Sequence, residues 1–224
     1  MAKARIISVN TGPIRDFPGG PPDQSAIDKR GVAGRVFASK LGLAGDQQAD
    51  TEHHGGLEQA IYAYAREDLD WWTEQAGREF GNGGFGENLT TSGLEISGAQ
   101  IGEVWRLGSD VVVQVTSPRI PCATFAAWTG ERHWVKRFAA AGKPGAYLRV
   151  LAEGEIGAGD PIEVLSRPDT KVTVAESMRA YYGDAELMTV LLTVEGRGAK
   201  WDEIGEHVLG RRRAAAAPAA ASRP

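Results

Sequence analysis

The sequence predicts a mainly β fold with a few helices and a small helical unit at its C-terminal end, and three observations carry that reading. Short apolar runs of strand character recur along the chain up to about residue 166. Glycine, 29 of the 224 residues, falls largely between those runs, where it supplies tight turns and the corners of a curled sheet. Helical periodicity is sparse until Arg167-Pro168 and dominates after it.

The predicted strands, in order, are residues 5–9, 34–41, 60–64, 104–107, 111–115, 147–151 and 162–165. Two of them are entered alike. Residues 98–107 and 156–164 each run from a glycine turn with an acidic residue into a strand, and two similar hairpin corners suit a barrel better than a doubly wound sheet. A doubly wound sheet would also need long helices between strands, and only residues 66–75 and 134–141 qualify there. Residues 174–182, 185–194 and 200–209 are helical, stopped by Gly183, Gly196, Gly198 and Gly210. The expected organisation is a β-barrel domain over 1–166 and a three-helix unit over 167–210. That unit is too short to bury much core alone, so it packs on the barrel or a partner. Residues 211–224, three arginines followed by alanines broken by Pro218, read as a frayed or disordered tail.

Composition narrows the function. Hydrophobic content of 42% and charged content of 24% are globular values. A net charge of −4 argues against a general nucleic-acid binder, because phosphate neutralisation needs a basic surface. The N-terminal apolar run, Ile6-Ile7-Ser8-Val9, is far short of the roughly 20 residues of a spanning helix. No signal core precedes it and no later stretch qualifies, so a membrane location is not expected. Cys122 is the only cysteine, which excludes an intramolecular disulfide and fits a reducing, cytoplasmic setting. It also excludes an iron–sulfur cluster held by four thiolates of this chain, and no flavin or haem motif is present.

Three segments could carry chemistry. Cys122 closes Ser117-Pro118-Arg119-Ile120-Pro121-Cys122, where two prolines stiffen the exit of a valine-rich strand. Arg119 nearby would favour the thiolate that binds metals or attacks electrophiles, while a buried, inert cysteine is the alternative. The polar run from Asp46 to Asp50 leads into Glu52-His53-His54-Gly55-Gly56, which is a ligand loop or a plain polar turn. A zinc site from His53, His54, His133 and Cys122 lacks the usual ligand spacing. Gly83-Gly84-Phe85-Gly86-Glu87-Asn88-Leu89 could form an anion-cradling nest, though it has no P-loop lysine and opens no helix. The Trp71-Trp72 pair reads as packing, and Lys29 taken alone as a surface lysine.

In register, these segments resemble the MOSC domain family (molybdenum-cofactor sulfurase C-terminal domain), in its YiiM-like branch. The match is carried by residues 25–29, 43–50, 54–56, 85–89 and 118–122, then by Gly142-Lys143-Pro144-Gly145 and Val172-Thr173-Val174. The resemblance implies a MOSC-type β-barrel whose pocket receives a pterin-based molybdenum cofactor, with Cys122 as the metal's protein ligand. It places Lys29, His54, Asn88 and Arg119 around the cofactor phosphate or the substrate, with Cys122, His54 and Asn88 as the catalytic set. A soft thiolate suits a sulfur-ligated metal, and cationic side chains suit an anionic phosphate. The implied activity is reduction of N-hydroxylated compounds such as N-hydroxylated purines, a detoxification, with electrons from a separate reductase. Two other readings remain: a sulfur carrier using a Cys122 persulfide with a pyridoxal-phosphate-dependent partner, and a non-catalytic cofactor-binding module. A homo-oligomer stays open.

Overall fold

The computed structural model describes residues 3–18, 20–49 and 55–216. The strands among them are β1 (Arg5–Thr11), β2 (Arg15–Asp16), β3 (Gln24–Ser25), β4 (Arg30–Gly31), β5 (Arg35–Ser39), β6 (Gly42–Leu43) and β7 (Ile61–Ala65). They continue with β8 (Leu89–Ser92), β9 (Val104–Leu107), β10 (Val111–Pro118), β11 (Ala146–Ala152), β12 (Gly154–Gly157) and β13 (Ile162–Ser166). The helices are α1 (Arg66–Ala76), α2 (Ala123–Thr129), α3 (Trp134–Ala141), α4 (Val174–Tyr181), α5 (Ala185–Leu191) and α6 (Lys200–Ala216).

The alternation along β7 sets the architecture. This strand is buried at every position, between antiparallel β11 and parallel β8. Ile61, Ala63 and Ala65 point to a core shared with β1, β9, β10 and the C-terminal helices. Tyr62 and Tyr64 point the other way, into an aromatic core with Leu69, Trp72, Phe85, Phe125, Trp134 and Phe138. A strand covered on both faces cannot show a polar alternation, which is why residues 60–64 read as continuously apolar. Phe85 sits at the centre of the aromatic core, 5.1 Å from the Tyr64 ring and 5.2 Å from that of Phe125, with edge-on contacts that suit the ring quadrupoles. Trp72 belongs to this packing, as expected.

The eight-stranded sheet has the order β13-β9-β10-β11-β7-β8-β1-β4, beside a three-stranded sheet β12-β5-β6 and the β2-β3 hairpin. The two segments that echo each other in sequence end in β9 and β13, which pair antiparallel. The closed barrel expected from the sequence is not found. The sheet curls far enough for Ile6 N to donate to Asp160 O at 2.9 Å and Ile162 N to Ala4 O at 2.9 Å. Between β1 and the entry to β13, however, only the bridge Arg5–Pro161 forms. No ladder extends from that bridge, and the fold stays a mixed, sheet-dominated structure with six helices among the described residues.

The three C-terminal helices have no core of their own. Val174, Ala180, Met188, Leu191, Val194 and Trp201 join the core of the main sheet, and Trp201 Nε1 donates to Thr116 O at 3.0 Å. A reciprocal capping box between Thr173 and Glu176 starts α4. The last helix is longer than its sequence pattern suggests. It continues from Leu209 through the arginines to Ala216, into the segment read as tail, because alanine and arginine are strong helix formers even without an apolar stripe. No helix among the described residues is long and apolar enough to cross a membrane.

Candidate functional site

The exit of β10 builds one wall of the site. Pro118 ends the strand and Pro121 keeps the chain extended, so that Cys122, at φ −120° and ψ 175°, precedes α2. This helix was not legible in the sequence, since it spans only about two turns after two prolines. Cys122 is half-buried. Arg119 is only 7% exposed. Its Nη1 donates to Phe85 O at 2.9 Å, and its guanidinium carbon lies 4.2 Å from the Phe125 ring centre and 5.0 Å from that of Tyr62. Among the described residues no carboxylate pairs with it. Burial works against its charge, yet Tyr147, Tyr62 and Cys122 nearby outweigh that and hold its pKa above the ordinary value.

The glycine loop builds the second wall. It does form an anion nest, and the anion is its own Glu87. The fully buried carboxylate accepts from Gly83 N at 2.6 Å, Phe85 N at 2.9 Å and Thr90 Oγ1 at 2.8 Å. Burial raises the Glu87 pKa, and those hydrogen bonds oppose the rise. Gly86 turns the chain at φ +72°, where an added Cβ would meet Ile27 Cγ1 at 2.9 Å. The turn points Phe85 O at Arg119.

Asn88 ties this loop to the third wall. Its Oδ1 accepts from Tyr62 N at 3.0 Å, and its Nδ2 donates to Asp46 Oδ2 at 2.8 Å. Asp46 also accepts from Gly12 N at 2.9 Å and forms a buried ion pair with Lys29. Lys29 is therefore no surface lysine: burial lowers its pKa and Asp46 partly restores it.

These walls enclose a cleft of about 130 Å³ lined by Lys29, Asp46, Asn88, Arg119, Cys122 and Tyr147. Beyond it opens a groove of about 1490 Å³ between the start of α2 and the helices α4 and α6. Cys122, Tyr147, Gln59, Pro22 and Thr124 line both, so the cysteine stands where the cleft meets the groove. Four of the five site residues named from sequence thus share one cleft. His54, like His53, lies outside the described residues, and its neighbour Gly55 lines the cleft. His133 heads α3 and lines neither cavity. Among the described residues no group of three or more His, Cys, Asp or Glu could hold a bare metal ion.

Sequence reasoning missed Gln59, Tyr62 and Tyr147. Both tyrosines sit in strands, where an aromatic is ordinary, and Gln59 is in the short 3₁₀ turn Leu57–Gln59. Asp46 lies within the 43–50 motif, where the sequence pattern assigns it no role.

A family model, MOSC domain, matches residues 50–163. The chain belongs to the MOSC domain family. Within it the chain falls in the YiiM-like branch: it is 33% identical over 201 residues to Protein YiiM of Escherichia coli (strain K12), covering 87% of this chain and 88% of that protein. The crystal structure of YiiM from Geobacillus stearothermophilus superposes with a TM-score of 0.77 at 30% identity, over 92% of this chain and 99% of that one. A protein of Gibberella moniliformis (strain M3125 / FGSC 7600) named Reductase is 33% identical over 177 residues, 78% of this chain but 31% of its own length. MOSC domains are associated with molybdenum-cofactor binding, and the donor set here fits such a group. A soft sulfur and a buried cation without a carboxylate partner face one cleft, and an anionic, metal-bearing ligand would satisfy both.

Proposed function

We propose that this MOSC protein is an oxidoreductase that holds a molybdenum cofactor at Cys122 and reduces N-hydroxylated small molecules, N-hydroxylated purines among them. The observation that carries the reading is Arg119, a 7% exposed cation with no carboxylate partner among the described residues, in the cleft that Cys122 opens onto the groove. A buried cation held by one carbonyl and two ring faces, with its charged form favoured, is placed to pair with a bound anion. The fungal relative named Reductase supports the reaction class.

In this reading the Cys122 thiolate is the protein ligand of the metal, and Arg119 pairs with the cofactor's anionic part. When bound, the cofactor supplies the two-electron chemistry, and a separate reductase supplies the electrons. Asn88 fixes Asp46, which holds the Lys29 ammonium at the cleft wall. His54, which directly precedes the cleft-lining Gly55 in sequence, is proposed to serve proton transfer. The wide groove is the route for the substrate to Cys122.

The test is metal analysis and turnover on protein made in a host that synthesises the cofactor. About one molybdenum per chain with reduction of an N-hydroxylated purine is the expected result. Cyanide-labile sulfur without molybdenum would make the chain a sulfur carrier, and molybdenum without turnover a cofactor-binding module.

A further inference from the structure

Three tyrosines stand side by side, and two of them, Tyr62 and Tyr147, line the cleft. Tyr62 and Tyr64 lie on β7, and Tyr147 on β11 faces Tyr62 across the ladder. The Tyr62 ring centre is 6.0 Å from that of Tyr64 and 5.1 Å from that of Tyr147. Two of the three hydroxyls are committed to the fold. Tyr62 Oη donates to Pro144 O at 2.8 Å, and Tyr64 Oη donates to Lys143 O at 2.7 Å while accepting from Trp72 Nε1 at 3.0 Å. Tyr147 differs. Its backbone carbonyl accepts from Thr116 Oγ1 at 3.1 Å, but among the described residues its hydroxyl has no hydrogen-bond partner.

That hydroxyl is not walled off. Gln59 Oε1 is buried and unpartnered, whereas the Tyr147 oxygen is not among the buried unpartnered atoms, and its side chain lines both cleft and groove with Cys122. A polar group held by rigid ring packing, with no partner among the described residues, is a preorganised donor for whatever enters. The ring contact with Tyr62 and the strand ladder fix its direction, and Arg119 over the Tyr62 ring favours an electron-rich oxygen nearby.

We propose that Tyr147 Oη donates the hydrogen bond that holds the oxygen of an N-hydroxylated substrate beside Cys122. This rests on the function proposed above and makes Tyr147 a binding and specificity-determining residue of that site. A site that hydrogen-bonds a substrate hydroxyl discriminates against the analogue lacking it. The product of N–O reduction is that analogue, so the same contact favours substrate over product and aids product release.

The test compares equilibrium binding of an N-hydroxylated purine with binding of the same purine without the hydroxyl, for wild type, Tyr147→Phe and Tyr64→Phe. Molybdenum content, turnover and melting temperature are measured on the same preparations. Wild type should prefer the hydroxylated ligand by about tenfold or more, and Tyr147→Phe should bring the ratio close to one with fold and metal content kept. Tyr64→Phe, which cuts two internal bonds away from the cleft, should lower the melting temperature and leave the ratio alone. A wild type without preference, or a Tyr147→Phe protein that keeps it, overturns the assignment even if molybdenum and turnover are normal. Absence of molybdenum and turnover in wild type would overturn the functional reading instead, while the binding ratio would still decide the role of Tyr147.

Discussion

At the scale of single residues, charge burial decides most of what the cleft can do. Arg119 is held by one carbonyl and two ring faces, so its substitution separates charge from shape. Arg119→Ala should lower molybdenum occupancy about tenfold or more, since a charge-assisted contact is lost. Arg119→Lys should fall between, because lysine keeps the charge without the planar fork. Metal content per folded chain checks this, and equal occupancy in all three proteins would contradict it. Glu87 gives a pH test. Burial raises its folded pKa above 4.5, so the folded state binds the proton more tightly than the unfolded chain. Its contribution to stability is therefore greatest at low pH and falls as pH rises from 4.5 through the folded value. Glu87→Gln cannot titrate, and its amide NH₂ would face a backbone N–H, costing about 1–3 kcal/mol. The stability advantage of wild type over Glu87→Gln in urea unfolding should shrink between roughly pH 4 and pH 8. An advantage that grows over that range would contradict the assignment.

At the scale of elements, the glycine loop shows how local conformation reaches the site. Gly86 at φ +72° turns Phe85 inward as the hub of the aromatic core and aims its carbonyl at Arg119. Gly86→Ala should cost about 1–3 kcal/mol from the left-handed conformation, with a further loss from the clash with Ile27. A fall in melting temperature together with weaker cofactor retention is the expected outcome. The sequence made this loop visible through its glycines and suggested a nest, but not which anion fills it. Local pattern shows donors, and the acceptor four residues on is fixed only by the turn. The longer strands were legible from apolar runs and glycine stops, and α3 was legible to the residue, whereas the short β2, β3, β4, β6 and β12 carry no apolar run and were not. Helix α2 was not, since two prolines precede it and it is too short for a periodic face.

At the scale of the whole molecule, two cores meet on either side of β7, and the C-terminal helices complete one of them. Trp201 is the anchor of α6, 2% exposed and bonded to Thr116 O. Trp201→Ala should cost about 3–5 kcal/mol in urea unfolding, in a single transition with the sheet. A separate early transition for the helices would show that they fold apart. The closed barrel inferred from repeated corners is not formed, because β1 and the entry to β13 meet only through the isolated bridge Arg5–Pro161. Closure depends on long-range pairing, which no local pattern reports. The site was more legible than the fold's closure: Lys29, Asn88, Arg119 and Cys122 come from distant segments and line one cleft. Tyr147 was invisible, since only the environment of its hydroxyl distinguishes it from Tyr62.

Cys122→Ser tests the central claim most directly, with molybdenum content, turnover of an N-hydroxylated purine and melting temperature measured on one preparation. Serine is nearly isosteric but offers a hard, poorly ionised oxygen where the proposed metal would take a soft thiolate. A serine variant that melts near wild type yet lacks reductive turnover is the predicted result. A stable serine variant with full molybdenum and full turnover would contradict Cys122 as the metal's protein ligand.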